Sequence, residues 1–383
     1  MLTAEGCRAR RDRLWAALEP KPDVLLLAEP LHLTWLCGFY ASQFVFSSVN
    51  APAYLIMRSD GSSSLIVDNI AQGLAKEAFV DSVVPPAWYW GLESAGIRRD
   101  ILNRAVVAEV HRSDAARIGI DSALPASIVN ALEEDTVGTQ FPNVSGVIHE
   151  IRRRKDPDEL EAIRSSIRAM EAGLTAAVAG LKPGMTELKA FEIVQQGATE
   201  AAGKPVLVYG DFVTGERTQK GGGPPTNYVI QPNDLVLLDF SVVIQGYRGD
   251  FANTWVVDGG KPTPGQRRIE SACIEAMATG ESMLWPGIAC TEIDAAMRRI
   301  YVNHGLPDGI GHHLGHGLGL GHPDPPYIVP ESADTLMAGD VVTLEPGQYV
   351  QGVGGMRFER NYLITESGVE LLTHHHIGLQ PNR

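Results

Sequence analysis

The residues best suited to chemistry lie in a run from Gly309 to Tyr327 of this 383-residue sequence. Neutral imidazole is the commonest metal ligand in proteins, and it also works as an acid or base near neutral pH. Glycines let the backbone and a ligand approach each other closely. Taken alone, the run is equally consistent with a flexible polar loop of adventitious metal affinity, so carboxylates elsewhere must decide. Its histidines are His312, His313, His316 and His322.

Two pairs of carboxylates can complete a metal site with these histidines. Each pair flanks a predicted hairpin, and folding the hairpin would bring both carboxylates to one end of a sheet. The first carboxylate of each pair is predicted to end a mainly apolar strand, where its charge is costly unless paired or bound to metal. The second of each pair, taken alone, is more often a solvated turn charge. The pairs are Asp239 with Asp250, around a turn near Gln245–Gly246, and Glu345 with Glu359, around residues 346–355.

Four carboxylates and one imidazole form a hard, oxygen-rich donor set. Such a set suits two divalent ions at a separation of about 3.5–4 Å better than one tetrahedral structural zinc. Two divalent metal ions are therefore expected, with Mn first and Co, Zn or Fe as alternatives.

The composition excludes several other classes of protein. Hydrophobic residues make up 44% and charged residues 20%, as in ordinary globular proteins. The net charge of −14 argues against nucleic acid or an anionic membrane as the main partner. The four cysteines lack CxxC spacing, and neither a signal-peptide pattern nor a membrane-spanning apolar run is present. A cytoplasmic protein is the default expectation.

The chain is predicted to have two domains that join near the basic segment at residues 152–157. Alternating strand and helix patterns, including a helix over Ala71–Phe79, indicate an α/β domain at residues 1–150. The aromatic cluster Trp88–Trp90 is interpreted as core or interface, with a substrate-pocket wall as the alternative. Residues 151–383 open with a long helix whose apolar residues recur on one face, from Leu160 to Leu181.

An internal repeat is the most informative pattern in this second domain. Two similar segments each join two predicted helices: Leu181–Glu187 and Leu284–Glu292. Thr186 and Thr291 are the predicted N-caps of the helices that follow them. The segments Asp234–Asp239 and Asp340–Glu345 follow in the same order. Two matches in one order predict a pseudo-twofold α+β domain with a carboxylate brought in by each half.

The order and spacing of these residues resemble the pattern of the pita-bread metallopeptidase superfamily. This superfamily includes prolidase, aminopeptidase P, methionine aminopeptidase and creatinase. The resemblance rests on Asp239, Asp250, His316 within Gly-His-Gly, the word Glu345–Gly347, and the word Gly354–Glu359. It covers about residues 150–375 strongly. It is looser over the first domain, where residues 33–39 resemble an early family segment. The fold it implies is a creatinase/prolidase-like α/β N-terminal domain followed by a pita-bread catalytic domain.

The resemblance also implies roles for individual residues. Glu345 would be both a ligand and the general base, and Asp250 and Glu359 would bridge the two metals. His312, Tyr349 and Arg357 match substrate-side positions, whereas His313 has no assigned role and is interpreted as a solvated or core imidazole. The metal ligands would be Asp239, Asp250, His316, Glu345 and Glu359.

Two departures from the family pattern concern the substrate. A second histidine normally lies seven positions beyond the metal histidine, but here that position is Pro323 and the nearest imidazole is His322, which we expect to replace it in catalysis. A further histidine normally precedes the first metal strand, yet residues 219–227 contain none. Ser241 stands where glycine is usual, which is a milder departure.

The predicted function is cleavage of an amide by a dinuclear-metal hydrolase, with an Xaa-Pro dipeptide or short peptide as substrate. The alternative is the same metal site acting on a small non-peptide substrate, which the missing histidine favours. A non-catalytic peptide-binding module is disfavoured because all five ligands are present. By analogy with relatives, the N-terminal domain is expected to form a homodimer and to help close the active site.

Overall fold

Two compact units, Met1–Arg152 and Arg153–Arg383, make up the chain in the computed structural model. The structure describes residues 2–44, 51–135, 138–308 and 310–380. Gly309, the first residue of the histidine-rich run, lies outside the described residues. Among the described residues, no helix is both long enough and apolar enough to cross a membrane.

The first unit is an α/β domain around a five-stranded mixed sheet. Its elements are α1 (Ala4–Ala17), β1 (Val24–Leu27), α2 (Pro30–Cys37), β2 (Tyr54–Arg58), β3 (Ser63–Ile66), α3 (Gln72–Ala75), β4 (Ser82–Val84), α4 (Arg98–Val110), β5 (Ile118–Ile120), α5 (Ala126–Asp135) and α6 (Ser145–Arg152). The strand order is β4-β3-β2-β1-β5, with β1 antiparallel to β2 and parallel to β5. Apolar side chains of β1, β2, α4 and α5 pack together as its core.

The helix predicted over Ala71–Phe79 is wrong in length, because α3 covers only Gln72–Ala75. Gly73 lies inside this segment and lowers its helix propensity. Ala71, at the N-cap position, makes no side-chain capping bond. The segment therefore forms a single turn.

The second unit contains two helix pairs and three sheets. Its elements are α7 (Pro157–Gly180), α8 (Glu187–Ala202), β6 (Leu207–Thr214), β7 (Leu235–Ile244), β8 (Tyr247–Val256), α9 (Pro264–Ser282), α10 (Cys290–Asn303), β9 (Gly315–Gly317), β10 (Asp324–Ile328), β11 (Val341–Leu344), β12 (Gly347–Val350), β13 (Gly354–Arg357), β14 (Arg360–Thr365) and β15 (Gly368–Leu371). Short 3-10 helices cover Gly215–Lys220 and Val257–Gly259. The sheets have the orders β6-β7-β8, β10-β9-β11-β14-β15 and β12-β13.

The long helix α7 forms where the apolar periodicity predicts it. Asp156 and Glu159 make a capping box at its start, and Pro157 occupies the first turn, where no backbone donor is needed. Ile163, Ile167 and Met170 are buried on one face. That face packs, with α8, against the sheet β6-β7-β8.

The internal repeat is confirmed by equivalent hydrogen bonds in the two halves. The amide of Gly184 donates to the carbonyl of Ile230 at 2.8 Å, and the amide of Gly287 donates to that of Leu336 at 2.8 Å. Before the two metal-site strands, Asp234 and Asp340 each accept the amide three residues upstream at 2.8 Å. The helices α9 and α10 cover the second sheet with their own apolar core.

Two details of the predicted repeat are wrong. Thr186 caps α8 through the Lys189 amide, but α10 begins at Cys290, with Ala289 rather than Thr291 at its N-cap. The copies align from their Pro-Gly turns, so Ala289 is the counterpart of Thr186 and Thr291 lies inside the helix. Asp239 does not end its strand either, because β7 continues to Ile244.

Alternation along the strands separates a helix-facing surface from a site-facing surface. On β8, a Cβ at Gly249 would lie 2.8 Å from the Ile167 side chain of α7, and Phe251 belongs to the same core. Because successive side chains point to opposite faces, Asp250 lies on the other face. On β7, Phe240 is in the helix-side core, which places Asp239 on the same face as Asp250.

The histidines near the C-terminus belong to the fold. The amides of His374 and His375 both donate to Oε1 of Glu171 on α7, and the His375 ring stacks on Phe251 at a centroid distance of 4.1 Å. Burial lowers the pKa of His375 to about 3, with the nearby charge of Arg360 acting in the same direction. A neutral imidazole therefore forms part of the packing behind β8.

Candidate metal centre

The predicted ligands converge on one buried point from several different strands or strand ends. Asp239 and Asp250 extend from the neighbouring strands β7 and β8, His316 from β9, and Glu345 and Glu359 follow β11 and β13 closely. Asp250, His316, Glu345 and Glu359 are each at most 4% exposed. A buried cluster of this kind forms only because two halves of the domain meet there.

Three overlapping groups of ligand atoms in this cluster are close enough to hold metal ions. Within each group the atoms lie within 4.8 Å of one another. All five predicted ligands occur in the groups. The groups are Asp239, Asp250 and Glu359; His313, His316 and Glu345; and Asp250, His316 and His322.

The His316 ring is oriented by its own backbone. Its Nδ1 lies 2.8 Å from the carbonyl oxygen of Gly317, to which it donates. The lone pair is thereby left on Nε2, which lies 3.7 Å from Oδ2 of Asp250 and 3.6 Å from Oε1 of Glu345. Burial lowers the pKa of His316, so the ring is held in the neutral form that ligates metals.

Glu345 is surrounded by imidazoles. Its Oε1 lies 2.9 Å from Nε2 of His313, and its Oε2 lies 3.4 Å from Nδ1 of His312. Burial opposes its ionisation, but the hydrogen bonds from His312 and His313 outweigh burial and lower the pKa of Glu345 to about 2. Glu345 is therefore an ionised carboxylate that lies among three imidazoles.

Burial and mutual repulsion oppose the ionisation of the neighbouring carboxylates Glu359 and Asp250. Burial, with the charges of Asp250 and Glu345, raises the pKa of Glu359 well above its ordinary range. Its Oε1 is buried without a hydrogen-bond partner in the described part of the chain. Burial also opposes ionisation of Asp250, yet the bond and charge of His322 and the charge of His316 lower its pKa.

This donor set fits divalent cations. Carboxylate oxygens with one or two imidazoles are the ligands that Mn, Fe, Co and Zn accept, and a cation would offset the mutual repulsion of the carboxylates. The orphaned Oε1 of Glu359, in the group with Asp239 and Asp250, supplies an unused ligand atom where a bridging carboxylate is predicted.

A hydrogen-bonded chain connects the metal cluster to the substrate-side residues. The Arg357 guanidinium binds Asp239 through Nη1 and donates from Nε to the Tyr349 hydroxyl at 2.8 Å. That hydroxyl donates to Nε2 of His312 at 3.0 Å. Nδ1 of the same His312 ring donates to the carbonyl of His313. The structure thus brings Arg357, Tyr349 and His312 together beside Asp239.

The two remaining histidines also reach the cluster. Nε2 of His322 lies 2.6 Å from Oδ2 of Asp250, so the one-residue shift from Pro323 still delivers an imidazole. The interpretation of His313 as a solvated or core imidazole is wrong, because it contacts Glu345 directly and is only 31% exposed. Burial alone would lower the pKa of His313, but the bond to Glu345 raises it.

Sequence reasoning missed two residues beside the site. Asn361 accepts the Asp250 amide at 3.1 Å and donates to its carbonyl, which fixes β8 against β14. Asp211 lies opposite Asp239 in the β6–β7 register, and its Oδ2 is 3.5 Å from Nη1 of Arg357. Asp211 stands in an otherwise apolar strand pattern on the face that carries Asp239, and that was the available signal.

Comparison with protein families agrees with this architecture. The model of metallopeptidase family M24 matches residues 161–366, and that of the creatinase/prolidase N-terminal domain matches residues 10–154. The chain therefore belongs to metallopeptidase family M24 and carries the N-terminal domain of creatinases and prolidases. Membership in this family implies divalent metal ions, which agrees with the ligand groups described above.

Individual relatives of similar sequence are also named as peptidases. An uncharacterized peptidase of Staphylococcus aureus strain USA300 is 30% identical over 240 residues. The match covers 61% of this chain and just under two thirds (66%) of that relative's length. An Xaa-Pro dipeptidase of Pyrococcus furiosus is 30% identical over 261 residues, covering 67% of this chain and 73% of the relative.

A solved structure agrees over the whole chain. The prolidase from Pyrococcus horikoshii OT3 has a TM-score of 0.79 at 24% identity, covering 98% of this chain and 99% of that one. The fold predicted from the sequence, with its two domain types, is confirmed.

Proposed function

We propose that this protein is a dinuclear-metal hydrolase that cleaves Xaa-Pro bonds in dipeptides or short peptides. The observation that carries the proposal is the buried cluster of Asp239, Asp250, His316, Glu345 and Glu359, whose ligand atoms lie in groups within 4.8 Å. The relative named Xaa-Pro dipeptidase supports the choice of substrate.

The five clustered residues would hold two divalent ions. When bound, such ions lower the pKa of water and polarise a carbonyl oxygen. Mn is the first choice for the hard, oxygen-rich part of the set, with Co, Zn and Fe as alternatives.

The chain's own residues would direct the proton transfers. Glu345 is ionised and would accept a proton from the attacking water at a carboxylate oxygen, as the water oxygen bonds to the scissile carbonyl carbon. It would return that proton to the leaving nitrogen as the carbon–nitrogen bond breaks. His322, on Asp250, would stabilise charge on the reacting carbonyl. Arg357 and His312, held through Tyr349, would position the substrate.

The test is hydrolysis of Ala-Pro, Gly-Pro and Ala-Pro-Pro by enzyme that has been stripped with chelator and reloaded with Mn or Co. We expect no turnover in the stripped protein and restored turnover on reloading. The ratio of Ala-Pro to Ala-Pro-Pro turnover would separate dipeptidase from aminopeptidase activity. The matching peptides Ala-Ala and Ala-Ala-Pro serve as substrate controls for proline specificity.

Cleavage that persists in the stripped protein would contradict the metal-dependent proposal. Binding of two metal ions without cleavage of any Xaa-Pro peptide would instead favour a small non-peptide amide as substrate.

We also propose that the protein is a homodimer formed through its N-terminal domain, which would help to close the active site. Tyr89 and Trp90 are 43% and 68% exposed in the first unit, so these two aromatic residues are not core there, and the neighbouring Leu92 and Ile97 are 94% and 69% exposed. Large exposed apolar residues of this kind often mark interaction surfaces. Light scattering after size exclusion should give about twice the 41.3 kDa chain mass. A monomer mass at micromolar concentration would contradict the proposal.

A further inference from the structure

The face of the β6-β7-β8 sheet that carries the metal ligands also carries one arginine. Arg248 is two residues before Asp250 on β8, so both side chains lie on the face opposite α7. It is the only arginine or lysine in the three strands. Its amide donates to the carbonyl of Gly319 at 3.3 Å, which ties this position to the loop leading to His322.

The Arg248 side chain is held in place but its charge is not neutralised. Its guanidinium lies over the Tyr209 ring, 5.4 Å from the centroid, and Tyr209 is two strands away on β6, in register with Asp250 through Ser241. Among the described residues it forms no salt bridge, and its Nε is buried without a hydrogen-bond partner. A half-buried arginine that no carboxylate of the described residues neutralises is well suited to bind a carboxylate of the substrate.

The other arginine at the site is already occupied. The Arg357 guanidinium contacts Asp239 and lies 3.5 Å from Asp211, so two carboxylates share its charge. Asp211 also accepts the Gly223 amide at 2.8 Å. A Cβ at Gly222 would lie 2.1 Å from Oδ2 of Asp211, so this carboxylate fills the space beside the histidine-free loop. A substrate carboxylate would be repelled there.

Arg248 and Asp250 leave β8 at positions whose separation is on the scale of a dipeptide. Two residues along a strand span about 7 Å. In an Xaa-Pro dipeptide the scissile carbonyl carbon and the terminal carboxylate are separated by about one residue length, ~3.8 Å.

We infer that Arg248, supported by Tyr209, binds the C-terminal carboxylate of the substrate, and that the enzyme therefore prefers dipeptides to longer peptides. This inference rests on the proposed Xaa-Pro peptidase activity. It assigns Arg248 as the residue that selects the substrate's carboxylate, whereas Arg357, held by Asp239 and Asp211, would position other parts of the substrate.

The test compares Ala-Pro with its C-terminal amide, Ala-prolinamide, in wild-type enzyme and in Arg248→Gln. Wild type should favour Ala-Pro, and the ratio of the two kcat/KM values should fall about tenfold or more in Arg248→Gln, through KM, because a charge-assisted hydrogen bond is lost. Arg248→Lys should retain part of the preference. Binding of proline and prolinamide to metal-loaded protein, measured by calorimetry, gives an independent readout.

Arg164→Gln is the matched control, since Arg164 pairs with Glu370 at the surface of α7 and should leave the ratio unchanged. Equal ratios in wild type and Arg248→Gln, with Xaa-Pro cleavage intact, would overturn the carboxylate site alone. If metal-loaded wild type cleaves neither compound, both the inference and the proposed function are overturned.

Discussion

Replacing Glu345 with glutamine should reduce kcat for Ala-Pro by about 1000-fold or more in the metal-loaded enzyme. A general base contributes about 100- to 10,000-fold, and this residue is also a proposed ligand. Glutamine keeps the side-chain size but removes the charge that faces His312, His313 and His316. Metal content by elemental analysis should fall below that of wild type.

Circular dichroism should show that the Glu345→Gln variant is folded, because the change removes a charge from a crowded acidic cluster. Glu366→Gln provides the matched control, since Glu366 is exposed in the turn between β14 and β15 and should leave turnover unchanged. A Glu345→Gln enzyme that keeps more than a tenth of wild-type kcat would show that the base lies elsewhere.

Replacing Glu187 with alanine should destabilise the second unit by about 3–5 kcal/mol, the usual effect of breaking a buried ion pair. Glu187 is fully buried at the start of α8. It accepts the Thr214 amide at 2.8 Å and the Thr226 amide and hydroxyl at 3.0 and 2.6 Å, and it pairs with Arg217. Its loss would leave a partly buried guanidinium and several donors without an acceptor.

The expected fall in melting temperature is on the order of 10 °C, measured by calorimetry with and without metal. Activity should fall as well, because the segment held at Thr214 and Thr226 includes Gly221, whose carbonyl accepts from Arg357 at 3.3 Å. Glu292→Ala is the control: Glu292 is in the first turn of α10, where its interaction with the helix end is worth under about 1 kcal/mol. A Glu187→Ala protein that melts like the control would contradict this account of the loop.

Much of the metal centre could be predicted from residue types and order. Charged residues within apolar strands are costly, so the positions of Asp239 and Glu345 in the sequence were enough to indicate a site. The repeat of Pro-Gly turns and apolar strands predicted the pseudo-twofold fold, and hydrogen bonds at Gly184 and Gly287 confirm it. Matching Thr291 to Thr186 placed the N-cap of α10 two residues too late, because a cap depends on where the helix begins and not on which residues are able to cap.

The residues that sequence reasoning missed act through contacts between distant parts of the chain. Nothing in the local sequence of His313 distinguishes it from a solvated imidazole, and only the approach of Glu345 gives it a partner. Asp211 and Gly222 are eleven positions apart, yet the carboxylate fills the space that a side chain at Gly222 would need. Such competition for space cannot be read from spacing along the chain.

The sequence by itself determined the fold class, the order of the two domains and the unusual carboxylates of two apolar strands, because burial of apolar faces and the cost of buried charge leave a pattern along the chain. The resemblance to the pita-bread superfamily added the full set of five candidate ligands. Only the tertiary structure decided the surroundings of those ligands. It decided that His322 contacts Asp250, that Arg357 is held by two carboxylates, and that Nε of Arg248 is buried without a hydrogen-bond partner among the described residues. The physical reason is that the charge balance of a site depends on distances through space between strands and loops that are far apart in the chain.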